Sequence, residues 1–192
     1  MSAAESLQTI ADRLQGYDPQ ALSAAHVNAF LAELVQPLRE AEMVTPMQAL
    51  DRILAEDVVS PISVPPHDNS AMDGFAFAGR EMQAGQPTRL RVIGTALAGK
   101  AWSGPCGAGE CVRIMTGAIM PTGLNTVAPQ ELVQVEGEQV TIPAGLLQVG
   151  DNRRLLGEDL MAGRPALSAG TRLTPAACGL IASLGLPQVK VW

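Results

Sequence analysis

Apolar residues recur at helical spacing in the first part of the chain. Leu7, Ile10 and Leu14 lie three or four positions apart, which predicts a helix over residues 2–18. The same spacing predicts a second helix that begins at Ser23 and ends near residue 37. Thr45 followed by Pro46 is typical of an N-cap and a first helical residue, so we expect a third helix that ends before Asp57.

Between residues 58 and 150 the pattern changes to short β-rich runs separated by glycine and proline turns. Such spacing indicates a small antiparallel sheet or a barrel-like β domain. The predicted strands cover residues 75–78, 90–96, 110–115, 126–135 and 139–142.

Helical spacing returns after residue 150. Thr174-Pro175 repeats the cap-and-proline start, and the helix over residues 176–184 should stop at Gly185 before a strand over residues 187–192. We therefore predict a β-rich α+β fold with three parts: N-terminal helices (1–40), a mixed helical and strand domain (41–59 with 151–192), and an inserted antiparallel β domain (60–150).

Composition narrows the class of protein. Hydrophobic residues make up 47% of the chain, which is enough to build a core and argues against disorder. The net charge of −6 argues against a nucleic-acid surface, and no apolar run approaches the roughly 20 residues of a membrane span. The three cysteines lack the paired spacing of a zinc site, and no secretory signal pattern opens the chain. We expect a cytoplasmic protein.

The candidate chemistry is concentrated in residues 65–76, which we call the signature loop. Pro65 and Pro66 fix an extended entry, and short polar residues follow as far as Asp73-Gly74, a turn dipeptide that opens into a strand. Carboxylate, amide and hydroxyl groups held on a rigid turn are suited to a cation or a phosphate. A hydrogen-bonded turn without any chemistry is the alternative interpretation.

Two other places present polar groups beside turns. Thr116 follows a strand, where its hydroxyl either donates to an anion or closes the turn. Arg153 and Arg154 suit phosphate oxygens, but a surface salt bridge to Glu158 or Asp159 is an equal alternative. Magnesium typically takes one or two carboxylates plus substrate phosphates, and Asp73 is the best candidate for such a ligand.

Three motifs together resemble one family. Residues 68–76 (DNSAMDGFA) look like the signature of the molybdopterin molybdenumtransferases of the MoeA type, which also occur as the E domain of gephyrin. Residues 113–118 (RIMTGA) with Gln130-Glu131 resemble its second block. Asn152-Arg153 with residues 157–159 (GED) resembles its third block, and the order and spacing agree over roughly residues 40–192.

The resemblance implies a role in molybdenum cofactor biosynthesis. Family members hydrolyse adenylylated molybdopterin with a divalent cation such as Mg²⁺, release AMP and insert molybdate. Matched by motif, Asp73 and Thr116 are implied as catalytic residues, and Asp73 as a metal ligand. Ser70, Arg153 and Asp159 are implied as substrate-binding positions. An elongated N-terminal domain and a homodimer with its active site between subunits are also implied.

The resemblance extends only to the N-terminal half of the family, so we expect this chain to be inactive by itself. The alternative function is a non-catalytic dimerisation or scaffold module of the same fold. A metal-dependent phosphohydrolase complete within these residues is a third hypothesis.

Overall fold

The computed structural model describes residues 9, 12, 23–35 and 38–192. The elements whose bounds are described comprise two α-helices and twelve strands: α1 (Ala24–Leu34), β1 (Glu42–Val44), β2 (Val58–Val59), β3 (Asn69–Ser70), β4 (Gly74–Phe77), β5 (Thr88–Ala96), β6 (Glu110–Ile114), β7 (Thr126–Pro129), β8 (Gln134–Glu136), β9 (Gln139–Ile142), β10 (Arg153–Arg154), β11 (Pro165–Leu167), α2 (Pro175–Ser183) and β12 (Val189–Val191). None of these helices has the length and apolar character needed to cross a membrane.

The largest unit is a six-stranded sheet in the order β7-β4-β6-β5-β9-β8. Its strands pair antiparallel except for β5 and β6, which run parallel. Parallel neighbours need a return connection, and residues 97–109 provide it. The β-rich α+β prediction is confirmed, with this one parallel pair as a departure from a wholly antiparallel domain.

Each face of the sheet covers a hydrophobic core, because successive side chains along a strand point to opposite faces. Phe75, Phe77 and Cys111 belong to one core, and Ala76 and Val112 to the other. Burial raises the pKa of Cys111 to about 12, so this thiol stays protonated at neutral pH.

A third core lies outside the sheet. It joins residues from two distant parts of the sequence: Val44, Ala49, Leu54, Val58, Leu173, Ala177, Ile181, Val189 and Val191. The pairing of β1 with β12 and of β2 with β11 brings these two parts together. The three-part domain division stays a prediction, and this core is the observation that favours it.

Of the three helices predicted before residue 58, the second and third fall on described residues. Helix α1 begins as expected, with the Ser23 hydroxyl accepting from the backbone N–H of His26 at 3.2 Å, and none of its residues is buried. The helix over residues 2–18 lies outside the described residues apart from Thr9 and Asp12, which are helical.

The helix expected behind Thr45-Pro46 is wrong, because residues 46–51 form turns. Asp51 has a φ of 65°, which reverses the chain, and its backbone N–H donates to Leu173 at 2.8 Å. Leu54 donates in the same way to Thr171 at 2.9 Å. Pairing with a distant segment therefore takes the backbone groups that a helix would use. The predicted strand over 126–135 is also interrupted, by a 3-10 turn at Gln130–Leu132.

Candidate functional site

The signature loop is anchored to the end of the sheet by backbone hydrogen bonds. Ser70 donates its N–H to Ala118 at 3.0 Å and accepts the N–H of Gly117 at 2.8 Å. Its hydroxyl donates to the carbonyl of Met72 at 2.6 Å, and Ser70 itself is 1% exposed. The first two motifs of the sequence are therefore in direct contact. The hydroxyl of Ser70 supports the turn in this structure, and its role in substrate binding stays a prediction.

Asp73 and Thr116 form the central pair of this region. Asp73 immediately precedes β4, and Thr116 follows β6, the strand that pairs with β4. The backbone N–H and the hydroxyl of Thr116 both donate to Oδ1 of Asp73, each at 2.7 Å. The backbone hydrogen bond is the main cause that lowers the pKa of Asp73, followed by the hydroxyl bond, and the charge of Arg113 acts in the same direction. Asp73 is therefore ionised at neutral pH.

The second oxygen of Asp73 is left available. Within the described residues, Oδ2 accepts no hydrogen bond and Asp73 makes no ion pair. A fixed, ionised carboxylate with one free oxygen at the end of a sheet is suited to a cation. It could equally accept a hydrogen bond from a protonated substrate group.

Thr116→Val should raise the pKa of Asp73 toward 3.8, the ordinary value, because the hydroxyl donor is lost. The rise should be partial, since the backbone N–H is still present. A lowered pKa means that the pair stabilises the fold above the ordinary pKa of aspartate and stops doing so as the pH falls through the lowered value. A titration of the Asp73 carboxyl by NMR measures the change. Thr116→Ser keeps the donor and should leave the pKa unchanged, and equal pKa values for Thr116→Val and the parent would contradict this assignment.

The third motif contacts the signature loop through β10, which pairs with β3. Arg153 lies near Asp68, with 3.6 Å between its Nη1 and the Oδ2 of Asp68. The Nε of Arg153 is buried and has no hydrogen-bond partner. The other carboxylate oxygen of Asp68 accepts the N–H of Leu156 at 2.8 Å. Arg153 is thus held in the loop region, and its role as an anion contact stays a prediction.

Arg154 forms the salt bridge that was predicted as the alternative to phosphate binding. Its Nε donates to Glu158 at 2.7 Å, and its Nη2 lies 2.7 Å from both carboxylate oxygens of Asp159. The hydrogen bond to Glu158 is the main cause that raises the pKa of Arg154, and the same bond lowers the pKa of Glu158. Asp159 is therefore committed to Arg154 here, so binding substrate through its carboxylate would compete with this ion pair.

Asn152 is a structural link that the sequence did not single out for a role. Its φ of 59° is in the left-handed region, which asparagine tolerates better than most residues. Its side-chain amide donates to the carbonyl of Val127 at 2.9 Å, and its own carbonyl accepts the N–H of Ala71 at 2.9 Å. Asn152 thus ties the signature loop to β7, one of the two edge strands of the sheet.

Two further residues beside Asp73 were missed as site candidates. Gln130 donates its backbone N–H to the carbonyl of Asp73 at 3.0 Å. Arg113 donates to the side-chain oxygen of Gln130 at 3.5 Å, which is a long contact. Both residues occur in the second motif, so motif membership was the available signal. Their proximity to Asp73 depends on strand register, which the sequence does not show.

The described residues contain no group of three or more His, Cys, Asp or Glu side chains that could hold a metal ion alone. One ionised carboxylate oxygen on Asp73 nevertheless fits Mg²⁺, because this ion usually keeps waters and binds one or two carboxylates together with substrate phosphates. The Asp73 carboxylate therefore fits one ligand position of such an ion.

Comparison with known proteins identifies the family of the chain. The sequence model of the MoeA N-terminal region (domain I and II) matches residues 20–185. The molybdopterin molybdenumtransferase of Haemophilus influenzae is 39% identical over 153 residues, which cover 80% of this chain and 37% of that protein. The protein of the same name from Synechococcus elongatus is 36% identical over 175 residues, with coverage of 88% and 43%.

A solved structure gives the same result for the fold. The crystal structure of the molybdopterin biosynthesis moeA protein from Pyrococcus horikoshii OT3 superimposes on this chain with a TM-score of 0.73 at 31% identity. The superposition covers 80% of this chain and 41% of the P. horikoshii chain. The chain thus spans about two fifths of the length of these relatives. From the family match, the relatives and the shared fold together, we conclude that this chain belongs to the MoeA N-terminal region family.

Proposed function

We propose that the chain contributes to molybdenum cofactor biosynthesis by supplying one wall of a molybdopterin molybdenumtransferase active site. The observation that carries the proposal is the Asp73 carboxylate, which Thr116 clamps through one oxygen and leaves free at the other. The H. influenzae and S. elongatus relatives bear the name of that enzyme. In this proposal adenylylated molybdopterin is hydrolysed, AMP leaves and molybdate is inserted as a substrate.

Each site residue has a defined part in the proposal. Asp73 would hold Mg²⁺ through Oδ2, and a bound magnesium ion supplies positive charge that offsets the negative charge of the phosphoryl group. Thr116 holds the Asp73 carboxylate in place through both of its donors, so we assign it to positioning. The oxyanion contact that the family resemblance implies would require its hydroxyl to exchange the bond to Asp73 for one to the substrate. Ser70 fixes the turn behind Asp73. Arg153 and Asp159 remain proposed substrate contacts, and Asp159 would act after exchanging its bond to Arg154.

The proposal includes an incomplete site. The described residues contain no group of three or more His, Cys, Asp or Glu side chains that could hold a metal ion, and the curated relatives are more than twice as long as the matched segment. We propose that the remaining ligands belong to a region outside the matched one, contributed by the partner subunit of a homodimer. The chain alone should then be inactive. A cytoplasmic location and the three-part domain division complete the proposal.

The alternative function, a dimerisation scaffold, can be distinguished from the transferase by the role of Asp73. A dimerisation module does not require a free, ionised carboxylate at the end of the sheet, and its self-association should not depend on Mg²⁺. Loss of a metal-dependent reaction on changing Asp73, with the oligomeric state unchanged, would favour the transferase over the scaffold.

A chimera tests the function directly. The segment of this chain that matches the H. influenzae enzyme replaces its counterpart in that enzyme, and release of AMP from adenylylated molybdopterin is measured with molybdate present. We expect turnover with Mg²⁺. Chelation of the metal should lower the rate by at least about 100-fold, and adding Mg²⁺ back should restore it. A folded chimera that releases AMP equally well without a divalent cation would contradict the metal role of Asp73.

A further inference from the structure

A cleft of about 340 Å³ opens on the face of the six-stranded sheet beside the Asp73 site. Its lining combines apolar side chains with a polar rim: Phe75, Val92, Ile93, Gly94, Thr95, Arg113, Val135, Gly137 and Glu138. The register of β5 against β6 shifts between Val92 and Thr95, so β5 carries a bulge at this position. Bulges of this kind bend a strand and redirect its side chains, often next to active sites.

Arg113 connects the cleft with the Asp73 site. Phe75 lies opposite Arg113 in the β4–β6 ladder, and Thr95 lies opposite Arg113 in the β5–β6 ladder. Asp73 lies just before β4, and its carbonyl accepts the N–H of Gln130, the residue whose side chain Arg113 contacts. The charge of Arg113 also acts on the Asp73 carboxyl. Arg113 therefore lies between the cleft and the carboxylate.

The guanidinium of Arg113 is not used by the fold in the way that other arginines are. Arg154 binds two carboxylates and Arg52 binds Glu42, with nitrogen–oxygen distances of 2.7 Å. The ion pairs of the described residues do not include Arg113, whose hydrogen bond goes to the neutral side chain of Gln130 at 3.5 Å. An exposed arginine with its charge unpaired can offer two parallel N–H groups to phosphate oxygens.

We propose that Arg113 binds a phosphate oxygen of the substrate while the adjoining cleft receives the flat ring system that the phosphate carries. This inference rests on the proposed function, whose substrate contains two such ring systems, a purine and a pterin, joined by phosphates. The apolar surface of Val92 and Val135 suits the faces of a heteroaromatic ring. Thr95 and Glu138 at the rim provide polar groups for the edge of that ring.

The first test changes Arg113 in the chimera. Arg113→Gln should raise the KM for adenylylated molybdopterin by about 10- to 100-fold at neutral pH, because a charge-assisted hydrogen bond is lost. Arg113→Lys keeps the charge without the fork and should recover part of the loss. The matched control is Arg89→Gln on β5, which removes the same charge from an exposed arginine that points to the opposite face of the sheet. This control should leave KM within twofold of the parent.

A purely electrostatic effect on Asp73 has a different signature. If Arg113 acted only through the carboxylate, Arg113→Gln would move the acid limb of the kcat/KM profile to higher pH and leave KM at neutral pH unchanged. That outcome would overturn the proposed phosphate contact.

The second test fills the cleft. Val135 is 51% exposed, so Val135→Trp should fold and should raise KM about tenfold or more by occupying the space of the ring. Inhibition by added AMP distinguishes the two ring systems: weakened inhibition identifies the purine, and unchanged inhibition with a raised KM identifies the pterin. An unchanged KM in Val135→Trp would overturn the cleft assignment.

Failure of this inference can be told from failure of the proposed function. If the parent chimera is inactive, or if Asp73→Asn is as active as the parent, the proposed function has failed. If the parent is active and depends on Asp73 but tolerates Arg113→Gln and Val135→Trp, only the subsite is wrong.

Discussion

Asp73→Asn in the chimera should lower the rate of magnesium-dependent AMP release by at least about 100-fold, an effect typical of losing a group that stabilises charge in the transition state. The fold should be retained, because the side-chain oxygen of asparagine can still accept both hydrogen bonds from Thr116. The free oxygen, in contrast, becomes an amide that cannot act as an anionic metal ligand. The rate is measured with saturating Mg²⁺ and the fold by circular dichroism.

Asp51→Asn is the matched control for this substitution. Asp51 is also an aspartate in a turn, and its ion pair with Arg172 is exposed on both sides, so the pair contributes little to stability. Asparagine also tolerates the φ of 65° at this position. The control should retain the parental rate. If Asp73→Asn keeps that rate as well, Asp73 has no catalytic role.

Gly74→Ala should cost about 2–4 kcal/mol in the free energy of unfolding, which is large for the addition of a single methyl group. A Cβ at residue 74 would lie 2.1 Å from the carbonyl oxygen of Ala128. That oxygen belongs to the backbone of β7, which pairs with β4, so it cannot move without disturbing the ladder beside Asp73. Urea unfolding of the isolated chain measures the loss, and the same change in the chimera should reduce activity.

Gly179→Ala is the matched control, and we expect this glycine-to-alanine change to stabilise the protein. Gly179 lies in the interior of α2, where an added Cβ would meet nothing within 4 Å. Alanine is the better helix former, so this variant should gain about 0.5–1 kcal/mol. If Gly74→Ala unfolds at the same urea concentration as the parent, the close approach of β4 and β7 is not a real constraint.

Local signals in the sequence were sufficient for the elements that depend on neighbouring residues. Helix α2 begins as expected, with the Thr174 hydroxyl accepting from Ala177 at 3.3 Å and proline in the first turn. The strand opened by Asp73-Gly74 is also present as β4. Caps, turn dipeptides and short strands are encoded by residues a few positions apart, so periodicity and turn chemistry predict them well.

The wrong predictions of secondary structure and strand direction have one physical cause, which is pairing between distant parts of the chain. Residues 46–51 have the start signal of a helix, yet Asp51 and Leu54 pair with residues 171–173 instead. The parallel pairing of β5 with β6 likewise depends on how the connecting segment returns. Neither choice can be inferred from local propensity, because tertiary contacts outweigh the small differences between local conformations.

In the candidate site, too, the residues could be predicted from local sequence but their contacts could not. Asp73 and Thr116 were each identifiable as polar residues at strand ends, and the family resemblance grouped them. The hydrogen bonds between Asp73 and Thr116 could not be predicted without the register of β4 against β6. Arg113 belongs to the second motif, but its proximity to Asp73 depends on strand register and was therefore not predicted. The choice between a phosphate and a salt bridge for Arg154 also needed the structure, which shows the bridge to Glu158 and Asp159.

Whether the Asp73 site is shared with another region is tested by measuring AMP release from adenylylated molybdopterin by the isolated chain and by the chimera, side by side, with Mg²⁺ and molybdate. If Asp73 and Thr116 form one wall of a shared site, the chimera turns over, its activity disappears with Asp73→Asn, and the isolated chain releases no AMP above the uncatalysed rate. Hydrolysis by the isolated chain at the rate of the chimera would contradict the shared site and favour a phosphohydrolase complete within these residues. A folded chimera without activity would contradict the transferase role and favour the scaffold.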